Sequence, residues 1–224
     1  MIHKLERWAW VGGALLAGNA GMVNAVGLQS FVHQAVTHVT GTTTLFSLAL
    51  AHGNGGALLN TGLVLASFAG GAMLGGFVIQ NAALRLGRRY GVALLLESAL
   101  LTAAALLMRS HLMTGSYCAS AACGLQNAMA STYSGSVLRT THLSGMFTDL
   151  GAAGGHFLRG VTVDWIRVRL YGMLIASFVT GGVAGALLFD LLGYNTLYVP
   201  AGLTGAIGLG YMAYVHHWRA KNAR

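Results

Sequence analysis

The chain has 224 residues, 55% of them hydrophobic and only 8% charged, with 33 glycines, a single proline and a formal charge of +8. A soluble domain of this size could not bury so much apolar surface or solvate its exterior with so few charges, and a mean hydropathy of +0.63 points to membrane spans. A nucleic-acid-binding module is excluded as well, because the basic residues sit at the ends of apolar segments and not on one face interleaved with aromatics.

In chain order, Lys4 and Arg7 precede an apolar stretch that runs to about Val32. That is too long for the core of a signal peptide, so it reads as a retained first span. Six stretches are long enough to cross a bilayer core of ~30 Å as helices, at about 9–32, 57–84, 90–108, 112–138, 168–192 and 197–217. Span 1 carries Gly21-x-x-Asn24-Ala25 and is followed by Thr37-His38-Val39-Thr40-Gly41-Thr42. Span 2 carries Ser67-x-x-x-Gly71-x-x-x-Gly75, and span 3 holds Glu97. Span 4 carries Gly124-Leu125-Gln126-Asn127-Ala128 and is followed by Thr141-His142-Leu143-Ser144-Gly145-Met146. Its cysteines, Cys118 and Cys123, match no metal or redox spacing and read as small buried residues. Residues 159–169 mix arginines with Asp164, Trp165 and apolar residues, the pattern of an amphipathic interfacial segment. Span 5 carries Ser177-x-x-x-Gly181-x-x-x-Gly185.

Three signatures thus occur twice in the same order, at offsets of 103, 104 and 110 residues. The offset is far too long for a solenoid period, so it marks two pseudo-equivalent halves, 1–110 and 111–224, within one membrane domain. The basic residues flank spans 1, 2, 4, 5 and 6 on one side, with only Arg109 on the other, which predicts cytoplasmic termini. Three spans per half make the second half enter from the opposite side. The expected fold is therefore all-α, six transmembrane helices as a 3+3 inverted-topology repeat, with short interfacial or re-entrant helices after spans 1 and 4.

Candidate site residues follow from the repeat. Thr40 or Thr42 is suited to cap a short helix from about Thr44 to Ala51, and Ser144 one that begins near Met146. Helix starts present free N–H groups and partial positive charge, which suits an anion; the alternative is that Thr, Ser and Gly here only end one helix and begin the next. Asn24 and Asn127 need hydrogen-bond partners inside a span, and Gln126 adds to them. The substrate-binding set is then Asn24, Thr40, Gly41, Thr42, Gln126, Asn127, Ser144 and Gly145. The Ser/Gly faces of spans 2 and 5 are packing surfaces that admit another backbone closely. Glu97, an acid well inside a span, is the candidate for proton coupling, with its counterpart in span 6 near Ala201 to Thr204; a structural hydrogen bond or a counter-ion for a nearby Arg is the alternative. His38 and His142 occupy equivalent positions on opposite faces by this topology, so no shared metal is expected unless both loops reach the midplane. No nucleophile–base pair or nucleotide-binding loop is present, and no enzyme or cofactor is predicted.

With these motifs in hand, the whole chain resembles the YoaK-like family of bacterial membrane proteins. In that family the N-terminal half reads Gly-x-x-Asp-Ala followed by Thr-Gly-Asn. The C-terminal half reads Gly-Leu-Gln-Asn-Ala followed by Thr-Thr-x-x-Thr-Gly. Here Gly124 to Ala128, Thr140, Thr141, Ser144 and Gly145 match the C-terminal pattern, while Asn24 and Thr42 depart from the N-terminal one. The resemblance implies a six-span inner-membrane protein. Two functions fit: a secondary transporter of a small polar or anionic solute, working by alternating access, or a non-transporting scaffold or accessory subunit. The lipid bilayer and an unnamed solute are the expected partners.

Overall fold

The computed structural model describes residues 5–31, 33, 35–79, 89–135 and 138–222, with 218–222 as backbone alone. These residues are all-helical: α1 Arg7–Gln29, α2 Val39–Ala51, α3 Gly55–Val78, α4 Arg89–Arg109, α5 Thr114–Ser134, α6 Leu143–Leu158, α7 Trp165–Leu192 and α8 Tyr198–Asn222. A 3-10 turn at Gly193–Leu197 separates α7 from α8. Four stretches among the described residues are long and apolar enough to cross a membrane: α1, α3, α4 and the run Trp165–His217, which holds α7, the turn and most of α8. Helix α5 has 21 residues but is not one of the four. Ser116, Ser120, Gln126, Asn127, Ser131 and Ser134 lower its hydropathy. Lys4, Arg85, Arg88 and Arg224, part of the charge pattern above, and the expected end of span 2 at 80–84 lie outside the described residues.

The helix ends follow from local chemistry, and they revise three expectations. The side chain of Asn54 caps α3 by accepting from the Ala57 N–H at 3.1 Å. Asp164 caps α7 by accepting from the Ile166 and Arg167 N–H groups, both at 3.2 Å. That cap starts α7 at Trp165, ahead of the expected start of span 5 at about 168, so residues 165–169 are the first residues of α7. The short helices start earlier than their Thr and Ser residues suggested. The first bond of α2 runs from the Thr42 N–H to the His38 carbonyl at 3.0 Å, and that of α6 from Met146 to His142 at 3.4 Å. His38 and His142, not Thr40, Thr42 or Ser144, therefore hold the N-cap positions. At the end of α5, Gly135 takes the left-handed conformation (φ 61°, ψ 47°) that turns the chain back on itself.

Packing runs across the halves. Helix α1 lies along α7, α3 along α5, and α4 along both α5 and α8. The contacts come in matched pairs. A Cβ on Gly21 would overlap the Phe178 carbonyl, and one on Gly124 the Phe68 carbonyl. A Cβ on Gly71 would overlap the Ala121 carbonyl, and one on Gly181 that of Gly18. Gly75 is pressed against the Leu125 backbone and Gly185 against Met22. Ser67 and Ser177, half-buried, continue the same helix faces. Such small-residue faces let the helix backbones approach one another closely. Each glycine-faced helix thus packs on the first helix of the other half. The short helices are peripheral, with α2 on α3 and α6 touching α7.

Candidate functional site

Each repeated loop folds back along the helix that precedes it, and an asparagine holds it there. Asn24 Oδ1 accepts from Thr37 Oγ1 at 2.8 Å and from the Thr37 N–H at 3.3 Å. Asn127 Nδ2 donates to Thr141 Oγ1 at 2.7 Å, and Thr140 Oγ1 donates to Asn127 Oδ1 at 3.2 Å. Asn127 lies seven residues before the end of α5, about 10 Å along the helix, so the second loop is carried well in from that end. The histidines then fix the first turn of each short helix. Neither makes a side-chain cap bond. Instead the His38 ring covers Gly41 and the His142 ring covers Gly145, where any Cβ would overlap it. This accounts for the shared His-x-x-Gly spacing, because residues three apart share a helix face.

The two loops meet at one cavity of about 530 Å³. Thr37, His38 and Thr40 line it from the first loop, and Thr141, His142 and Ser144 from the second. Asn127, Ser131 and Arg139 complete its polar wall, and Phe68 and Ala72 of α3 form an apolar one. The expectation that His38 and His142 are kept apart by topology is revised, since both fold-backs carry them to the same space. Among the described lining residues Arg139 is the side chain of fixed charge, and no carboxylate lines the cavity. Asp149 lies outside it, and both Asp149 and Arg139 are within electrostatic reach of Tyr171.

Other candidates stand behind this wall. Thr42 is buried, its hydroxyl donating back to the His38 carbonyl at 3.2 Å. Gly41 and Gly145 lie under the histidine rings, and Asn24 positions Thr37. Gln126, 2% exposed, donates to the Leu16 carbonyl at 2.8 Å and to Thr140 Oγ1 at 2.9 Å, tying the second loop to α1. Glu97 is elsewhere: it is 1% exposed in α4, within reach of Cys123 on α5, and its Oε2 has no partner among the described residues. Ser98 Oγ donates to the Ala201 carbonyl at 2.7 Å, and Gly91 meets Gly208. Those two contacts map onto each other at an offset of 110, so the counterpart of Glu97 is Ile207, and not a residue near Ala201 to Thr204. Arg139, Thr141 and Ser131 were not singled out from the sequence. Thr37 and Thr141 open the repeated loop motif, which was a usable signal, whereas Arg139 was counted only toward topology. A second, apolar groove of about 630 Å³ lies among α1, α4, α5 and α8.

No group of three or more His, Cys, Asp or Glu side chains suited to a metal occurs among the described residues. No curated protein and no solved structure matches the chain. The family model described as "Protein of unknown function (DUF1275)" matches residues 12–210, a stretch that holds both copies of every repeated motif. The chain belongs to the DUF1275 family.

Proposed function

We propose that the protein is a secondary transporter of a small anionic or strongly polar solute, bound in the cavity between the two repeated loops. The observation that carries this reading is the convergence of both copies of one motif on one cavity whose described lining residues include Arg139 and no carboxylate. The first helical bonds of α2 and α6 start from Thr42 and Met146. The amides of 39–41 and 143–145 are therefore left without helical acceptors, and both N-termini add partial positive charge. Six spans in two inverted halves, with α2 and α6 re-entrant, would supply two nearly equivalent states. The likeness to the YoaK-like family fits that layout and a bacterial inner membrane with both termini cytoplasmic. In this reading Thr40, Thr141, Ser144, Asn127 and Arg139 contact solute, Asn24 and Gln126 position the loops, and Glu97 couples a proton.

The test is a thermal-shift screen of purified protein against small carboxylates, phosphate, sulfate and neutral polar solutes, followed by uptake into proteoliposomes. At least one anion should raise the melting temperature, and Arg139→Gln should abolish that shift while leaving the unliganded melting temperature in place. A silent screen with no uptake would favour the scaffold. A shift that survives Arg139→Gln would move the site elsewhere.

A further inference from the structure

Among the described residues the matched contacts of the long helices differ most at one pair of seams, and that difference is informative. Helices α4 and α5 pack along each other, but their counterparts α8 and α1 barely meet. At the tight seam a Cβ on Gly115 would press on Met108 and come within 3.0 Å of the Ala104 carbonyl. Leu101, Ala104, Ala119 and Cys123 are all buried there in one cluster, with Val26. The same end is closed over by aromatic rings: His111 lies 5.5 Å from Phe31 and 6.3 Å from Tyr194, whose hydroxyl accepts from the Phe31 N–H at 3.2 Å.

At the other seam the equivalent positions stand apart. Gly12, the counterpart of Gly115, has nothing among the described residues within 4 Å of where its Cβ would be. Leu16, Ile207, Tyr211 and Tyr214 are the counterparts of Ala119, Glu97, Leu101 and Ala104. Together with Gly12 they line the apolar groove of about 630 Å³. One set of positions is therefore filled at one end of the molecule and open at the other. Leu138 lines this groove and the next residue, Arg139, lines the solute cavity.

We infer that the structure is one of two states, open between α1 and α8, and that the other is reached by closing α8 onto α1 at Gly12 while α4 parts from α5 at Gly115. This rests on the transporter reading and names the seams that alternate. A glycine at position 12 has no steric purpose in the open state and acquires one when α8 closes on it. Parting of the tight seam also exposes Glu97, whose Oε2 is buried without a partner among the described residues while the seam is shut. The exchange thus ties access at one end to wetting of the acid in that seam.

The experiment uses a Cys118→Ala/Cys123→Ala background in native membranes, with Leu16→Cys as a reporter in the groove wall and a maleimide as probe. Gly12→Leu should leave the melting temperature unchanged and raise reporter labelling severalfold, by holding the groove open. A Gly12→Cys/Tyr214→Cys pair should cross-link under mild oxidation. Gly115→Leu should instead lower the melting temperature. Unchanged labelling with no cross-link, or a Gly12→Leu destabilisation equal to that of Gly115→Leu, would overturn the inference. Neither readout depends on a solute, so cross-linking in a protein that binds nothing would retain the two states and reject the transporter.

Discussion

The two loops are cut to one pattern and backed by opposite chemistry. In the first, Asn24 holds Thr37, and the residues beside them, Val23 and Val36, are buried in an apolar cluster. In the second, Asn127 holds Thr141, but the positions of Val23 and Val36 are taken by Gln126 and Thr140, hydrogen-bonded at 2.9 Å. Ala35 in the first loop corresponds to Arg139 in the second. The shared residues, Asn, Thr, His and Gly, give both loops the same fold-back. The residues that differ set what backs each loop and place Arg139 in the cavity wall. An apolar backing holds its loop by burial alone, whereas a buried polar backing holds it only while every group is paired. The fixed charge and the hydrogen-bonded backing therefore come from the second half, while the first contributes Thr37, His38 and Thr40 to the wall and one helix start.

The largest expected effect tests what the halves share. Gly71→Leu and Gly181→Leu should each lower stability by ~1–3 kcal/mol or more, because both replace a contact on a carbonyl of the facing helix. Melting temperatures in detergent would read this. A large loss in one variant and none in the other would break the equivalence. A smaller effect tests what the halves do not share. Gln126→Leu should cost ~1–2 kcal/mol by removing both hydrogen bonds of a buried amide, to Leu16 and to Thr140. Gln126→Val with Thr140→Val copies the first half and should cost less than the two single changes added together. Additivity in that double-mutant cycle would mean that the pair does not act as a unit.

Much of the scaffold was legible in the sequence, because hydropathy and glycine spacing act locally. Apolar runs marked the long helices, and the Ser/Gly faces marked where backbones meet. Which helices meet was not legible, since the partners of Gly71 and Gly181 lie in the opposite half. The starts of α2 and α6 were misplaced for a different reason. Thr and Ser are the usual caps, but here a histidine ring lying over a glycine takes the cap position. Polar residues in α5 keep it out of the set that is apolar enough to span, although its length suffices. Arg139 was hidden by its own usefulness: one arginine beside a span serves the charge asymmetry equally well whether it faces solvent or a cavity. Glu97 was visible as an intramembrane acid, but its distance from the loops could come only from the packing of α4 on α5.

The central claim is that both loops build one solute site, and ligand protection of single cysteines tests it directly. Thr40→Cys and Ser144→Cys each stand in the cavity wall, one from each copy of the motif. Labelled in the Cys118→Ala/Cys123→Ala background against increasing amounts of an anion that shifts the melting temperature, both should be protected with the same half-maximal concentration. Protection of only one of them, or of both at clearly different concentrations, would contradict a shared site.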